Sequence, residues 1–210
     1  MVDRIAPDMT TTYAPLATAV FPRRWQITVT LVVSFTLLTA VAAQFRIYLD
    51  FTPVPITGQT LAVLLSGGVL GSRAGAASQA LYWMGGLLIP WFAGANGGLA
   101  TGGWEGWEVV TGATGGYLIG FIVAAYAVGY LSERGQDRNV ATAIPAFLAG
   151  TLIIYLFGVP WLAHIADLGW VEAVELGAVP FVLVDLIKVA AAGLLLPGAW
   201  HFTKRWRENT

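Results

Sequence analysis

No charged residue interrupts the chain from Trp25 to Phe45. A run of this kind matches the roughly 20 helical residues that cross the hydrocarbon of a bilayer. It is the first of six apolar stretches, and it extends to about Tyr48. The others cover about 57–72, 74–91, 114–131, 140–162 and 178–201. The second and third are short for a full crossing. Hydrophobic residues make up 57% of the chain and charged residues only 11%, where a typical soluble domain carries about 25%. So little polar surface could not cover a folded chain of this size in water. The expectation is an all-α membrane protein, a single bundle of six transmembrane helices.

The cations set the expected orientation. With the N-terminus inside, Arg4, Arg23, Arg24, Arg73, Arg134, Arg138, Lys204, Arg205 and Arg207 all fall on the inner side, and only Arg46 falls outside. Asp50, Glu105, Glu108, Asp167, Glu172 and Glu175 collect outside. Lys and Arg in short loops favour the cytoplasmic face, and an odd number of helices would scramble this partition. Both termini are therefore expected in the cytosol, on a multi-pass protein of a prokaryotic cytoplasmic membrane. Residues 1–24 would be a flexible tail, 25–203 the membrane domain and 204–210 a short second tail. The tryptophans agree: Trp25, Trp200 and Trp206 lie at the inner edge, and Trp91, Trp104, Trp107, Trp161 and Trp170 at the outer, the level that indole rings favour.

Two outer loops stand out. Residues 91–113 hold seven glycines and read as a mobile cap or a plain connector. Residues 163–177 alternate acidic and apolar side chains and read as a short helix along the outer surface. Among the helices, Gly112, Gly116, Gly120 and Ala124 recur every fourth position and form a smooth stripe for close helix packing.

Asp185 and Lys188 are the charges set well inside a span. Asp185 lies about eight residues below the outer end of the last stretch, roughly 12 Å at 1.5 Å per residue. Lys188 is one turn deeper on the same face. Each charge at a helix centre costs roughly 2.5–3.5 kcal/mol on insertion scales, so the pair should face the bundle interior. It reads as a site for a small polar ligand, with a structural ion pair as the alternative. Near the outer mouth, Thr114, Tyr117, Gln59 and Asn96 can offer polar atoms; capping and turn roles account for Gln59's neighbour Thr57 and for Asn96 equally well. Pro53 and Pro55 force an extended approach to the second stretch.

Other chemistries are excluded or unsupported. The chain has no cysteine, which removes thiol catalysis and cysteine-ligated metals. A net charge of -1 gives no reason to expect nucleic acid. His164 and His201 sit at opposite interfaces, no metal-binding pair or phosphate loop appears, and no cofactor is expected. An acid–base enzyme built on Asp185 and Lys188 would lack a third catalytic group.

Three motifs together resemble a known family. They are Thr-Pro-Val-Pro-Ile-Thr-Gly-Gln-Thr-Leu-Ala-Val-Leu-Leu at 52–65, Gly-Ala-Thr-Gly-Gly-Tyr-Leu-Ile-Gly-Phe at 112–121, and Pro-Phe-x-x-x-Asp-x-x-Lys at 180–188. In this order they are similar to the BioY family, the biotin-binding subunits of energy-coupling factor vitamin transporters. The likeness spans about 27–196. It implies a six-helix bundle holding the vitamin near the outer face, with Asp185 and Lys188 contacting biotin and Asn96 reaching its head. Tyr117, Tyr82, Trp83 and Phe92 would enclose the apolar ring and chain. It also implies partners: a transmembrane coupling subunit and ATPase subunits, or self-association in their place. The chain departs from the family pattern at Gly58 and Ala113, and at Val33 and Leu37, where an Ala-x-x-x-Ala patch often docks the coupling subunit. An S component for another vitamin and a non-transporting scaffold are the competing expectations.

Overall fold

The computed structural model describes residues 13–22, 24–93 and 105–208. In chain order the elements are α1 (Leu16–Val20), α2 (Trp25–Gln44), β1 (Arg46–Leu49), β2 (Thr52–Thr57), α3 (Gln59–Leu70), α4 (Ser72–Gly86), α5 (Glu105–Thr111), α6 (Gly115–Ser132), α7 (Val140–Ile165), α8 (Trp170–Gly177) and α9 (Val179–Glu208). Four of the described helices, α2, α6, α7 and α9, are long and apolar enough to cross a membrane. α3 and α4 have 12 and 15 residues, about 18 and 22 Å at 1.5 Å per residue, less than the roughly 30 Å of hydrocarbon.

Each apolar stretch holds one helix, long or short, with ends that differ from those expected. The first helix stops at Gln44, not Tyr48, because the chain turns into an antiparallel hairpin that pairs Arg46 with Thr57, Ile47 with Ile56 and Leu49 with Thr52. Pro53 and Pro55 fit there, since each strand of a two-stranded sheet keeps an edge that needs no N–H. The third helix stops at Gly86, short of Trp91, and the last continues past His201 to Glu208. Part of the expected tail is packed: α1 buries Leu16 and Ala17, and Arg138 Nη2 donates to Ala14 O at 2.9 Å. The short outer helix expected in 163–177 is α8.

α6 is the most enclosed of the four long helices. Its small residues explain why. A Cβ at Gly116 would overlap Trp161 of α7, and one at Gly120 would lie 3.0 Å from Ile154 Cα. Ala124, the next in the stripe, is fully buried. Gly112 departs from the expected packing: it precedes the helix, and its carbonyl accepts from Trp161 Nε1 at 2.8 Å. On the other side of α6, Gly67 of α3 and Gly75 of α4 approach so closely that a Cβ on Gly75 would lie 2.8 Å from Gly67 Cα. The left-handed Gly71, φ 84°, makes the sharp link between α3 and α4.

Cross-links between loops show which elements share an end. Glu133, after α6, caps α4 by accepting from Ser72 N at 2.8 Å, and Trp200 of α9 donates to Asp137 Oδ2 at 2.6 Å. The α3–α4 turn, the α6–α7 loop and the end of α9 therefore lie together, with Arg73, Arg134, Arg138, Lys204 and Arg205. At the opposite end Thr52 Oγ1 donates to Leu176 O at 2.7 Å, joining the hairpin to α8.

The Asp137 carboxyl is nearly inaccessible, and burial pushes it above the usual carboxylate range, against hydrogen bonds from Trp200 and Ser132 and the Arg138 charge. A raised folded value means the folded chain holds this proton more tightly than the unfolded chain. The stabilisation is full below the ordinary value of 3.8 and is lost as pH rises through the folded value. Melting curves of the parent and Asp137→Asn should therefore differ in pH slope, the parent's advantage shrinking as pH rises above 4. Parallel slopes would contradict this.

Candidate functional site

The paired charges expected from the sequence both line a cavity walled by β2, α3, α6, α7 and α9. Spacing three apart on α9 puts Asp185 and Lys188 on one face, and that face turns inward: Asp185 is 4% exposed. Lys188 Nζ donates to Asp185 Oδ1 at 2.7 Å and to Thr60 Oγ1 at 2.8 Å. The Thr60 hydroxyl in turn donates a hydrogen bond to Asp185 Oδ1 at 3.0 Å. Tyr155 Oη, from α7, donates to the other carboxylate oxygen. Three helices thus converge on one carboxylate. An ammonium has three N–H donors; among the described residues two are engaged and one is left over.

Away from this cluster the wall is largely apolar. Val54, Leu118, Phe121, Ile154 and Phe181 line it, with Tyr117 and Thr114 nearer the α6 start. The empty space between them, open mouth included, is about 540 Å³. A polar focus at one end of an apolar chamber suits a ligand with a compact hydrogen-bonding head and a greasy remainder.

The expected site residues divide into three groups. Asp185, Lys188, Tyr117, Gln59 and Thr114 line the cavity together. Tyr117 Oη donates to Gly177 O at 2.7 Å, so its ring is fixed as wall. Thr114 donates to Val109 O at 3.2 Å.

Tyr82, Trp83 and Phe92 do not line the cavity, because α4 stands behind α3. Tyr82 is fully buried and accepts from Gln59 Nε2 at 2.8 Å. It stacks on Trp91 at 5.8 Å and meets Phe92 edge-on at 5.3 Å. Those rings back the Gln59 amide, whose oxygen accepts from Thr57 at 2.9 Å. Trp83 packs against the same cluster, and its Nε1 has no partner among the described residues. Asn96 lies outside the described residues; Ala93, shortly before it, lines the cavity.

Two contributors went unforeseen. Tyr155 is a lone phenol in the apolar run 140–162, which was the available signal. Thr60 sits inside a motif read mainly for its prolines and its cap.

The cavity can be set beside known proteins. The BioY family profile matches residues 21–205. The biotin transporter BioY of Rhizobium etli is 38% identical over 157 residues, 71% of this chain and 79% of that protein. The probable biotin transporter BioY of Pyrococcus horikoshii is 39% identical over 168 residues, 80% of this chain and 92% of that one. The crystal structure of the S-component for biotin from an ECF-type ABC transporter superposes with a TM-score of 0.70 at 22% identity, covering 90% of this chain and 94% of that one. With the profile matching residues 21–205 and these relatives aligned over 71% and 80% of its length, the chain belongs to the BioY family.

Proposed function

We propose that the chain is the biotin-capturing S component of an energy-coupling factor transporter. It takes biotin from outside and delivers it across the cytoplasmic membrane, driven by ATPase subunits that act through a transmembrane coupling subunit. The observation that carries this reading is the Asp185–Lys188–Thr60–Tyr155 cluster at the polar end of an apolar cavity. Biotin has a matching shape: a ureido ring with two N–H groups and a carbonyl, an apolar thiophane ring and a short acid chain. Asp185 accepts ureido N–H bonds, Lys188 gives its remaining N–H to a ureido or carboxylate oxygen, and the apolar wall holds the thiophane ring. Asn96 contributes from the outer loop.

The six helices lie in the bilayer with the arginine-rich end in the cytosol, leaving the hairpin and α8 on the outside above the site. Residues 25–203 make up the membrane domain. Transport requires the site to face each side in turn.

The test is a thermal-shift screen of vitamins on the detergent-purified chain. A ligand at a hundredfold over its Kd stabilises by about 2.7 kcal/mol. Biotin should raise the melting temperature, and unlabelled biotin should displace a labelled probe. A larger shift with another vitamin would reassign the ligand, and no shift with any would reject the site.

A further inference from the structure

We propose that the arginine-rich end carries a binding site for one anionic phospholipid, built from a polar basin and an adjoining apolar slot. The proposal rests on the orientation given above, with this end at the cytoplasmic surface. The basin is a crevice of about 1,100 Å³, open to the surroundings, where α4 begins, α6 ends and the chain enters α1. Arg73 and Arg134 line it together with Tyr13, Tyr126 and Tyr130.

Its one carboxylate is already engaged: both oxygens of Glu133 accept from Ser72, with distances of 2.8–3.0 Å. The guanidinium of Arg134 sits over Tyr130, its carbon 3.3 Å from the ring centre, with Nη1 donating to Tyr130 O at 3.3 Å; of its five N–H donors others remain for an anion. Arg73 is exposed on the first turn of α4. Two guanidiniums beside aromatic rings at a helix end suit a phosphodiester.

The slot supplies the second observation. It adjoins the basin, is lined by Phe21, Ile27, Leu31 and Ala17, and shares Leu70 and Ala74 with the basin. A free phosphate would have no use for it. An amphiphile would use both, with its phosphate at Arg73 and Arg134 and an acyl chain against Ile27 and Leu31.

The experiment is native mass spectrometry of the full chain released from mixed phosphatidylglycerol and phosphatidylcholine micelles, without biotin. One retained phosphatidylglycerol is expected, preferred over phosphatidylcholine. Arg73→Gln with Arg134→Gln should cut that preference by roughly thirtyfold, about fivefold per arginine contact. Ala74→Trp, which fills the shared wall and alters no charge, should also cut retention. Equal retention of both lipids, or no effect of either change, would overturn the proposal. So would soluble glycerol phosphate competing as well as the lipid, or retention appearing only once residues 1–12 are removed, which would make the chain's own acidic segment the occupant. Biotin titration of the same variants separates this outcome from failure of the vitamin site, since none of the altered residues lines that cavity.

Discussion

Asp185→Asn is expected to weaken biotin binding by roughly a hundredfold, because hydrogen bonds to a charged acceptor contribute about 1.5–3 kcal/mol each and 1.4 kcal/mol is a factor of ten. Lys188→Met should do more damage to the fold than to any single ligand contact. It leaves the Asp185 carboxylate, 4% exposed, with Thr60 and Tyr155 as its remaining partners among the described residues. Removing one member of a buried ion pair costs about 3–5 kcal/mol, so the empty protein should melt well below the parent. The two effects separate in the double variant, where the uncompensated charge is gone. Asp185→Asn with Lys188→Met should recover most of the lost melting temperature and still bind no biotin. Thermal melts of the empty chains, alongside equilibrium titration with labelled biotin, check this. A double variant that binds like the parent would show that the pair is a structural strut and that the ligand is held elsewhere.

The difference between strut and ligand site is the part of the site least visible in sequence. Spacing along α9 was enough to place Asp185 and Lys188 on one face, and the cost of burying charge was enough to turn that face inward. Neither consideration says which other helix comes within 3 Å. Thr60 is 125 positions from Asp185 and Tyr155 is 30 away. Their meeting depends on how α3 and α7 pack around α9, which periodicity along one helix does not encode. The same gap displaced Tyr82, Trp83 and Phe92. Aromatic residues near the outer end are natural candidates to enclose a ring, but α4 sits behind α3, so these three brace the wall and leave Phe121, Ile154 and Phe181 to form it.

The fold was legible where one interaction dominated. Long uncharged runs become helices because a bilayer leaves backbone groups no other partner. Their ends were less legible, because there several weak preferences compete. After Gln44 the chain could have continued as helix to Tyr48. It turns instead, because the Pro-rich segment 52–57 is extended and offers a strand for Arg46, Ile47 and Leu49 to pair with. That turn has consequences for the site: β2 supplies Val54, Pro55 and Thr57 to the cavity wall, and the Thr52–Leu176 bond ties the hairpin to α8. The Tyr117–Gly177 bond adds a second tie to the same end of α8.

Two adjacent glycines on α3 should respond very differently to the same added methyl group. A Cβ on Gly67 would press into the backbone oxygen of Ala125 and lie 3.1 Å from Gly129 N, and both belong to the spine of α6. Backbone cannot swing aside, so the helices must separate. A Cβ on Gly68 would meet Leu196 Cδ2 at 2.6 Å, the tip of a flexible side chain, with the Phe147 ring next at 3.4 Å. Rotation of the leucine can relieve much of that overlap. Overpacking typically costs about 1–3 kcal/mol, occasionally more. Gly67→Ala should fall at or beyond the top of this range and Gly68→Ala near the bottom. The effect on Gly67 should also reach the ligand. α3 carries Gln59 and Thr60 at its first turn, so pushing it off α6 draws the Thr60 hydroxyl away from Lys188 and Asp185 and should weaken biotin binding severalfold. Melting temperature and biotin affinity, measured on both variants, should fall together for Gly67→Ala and stay near the parent for Gly68→Ala. If the two variants lose stability equally, backbone contact between α3 and α6 is not what sets the position of the site.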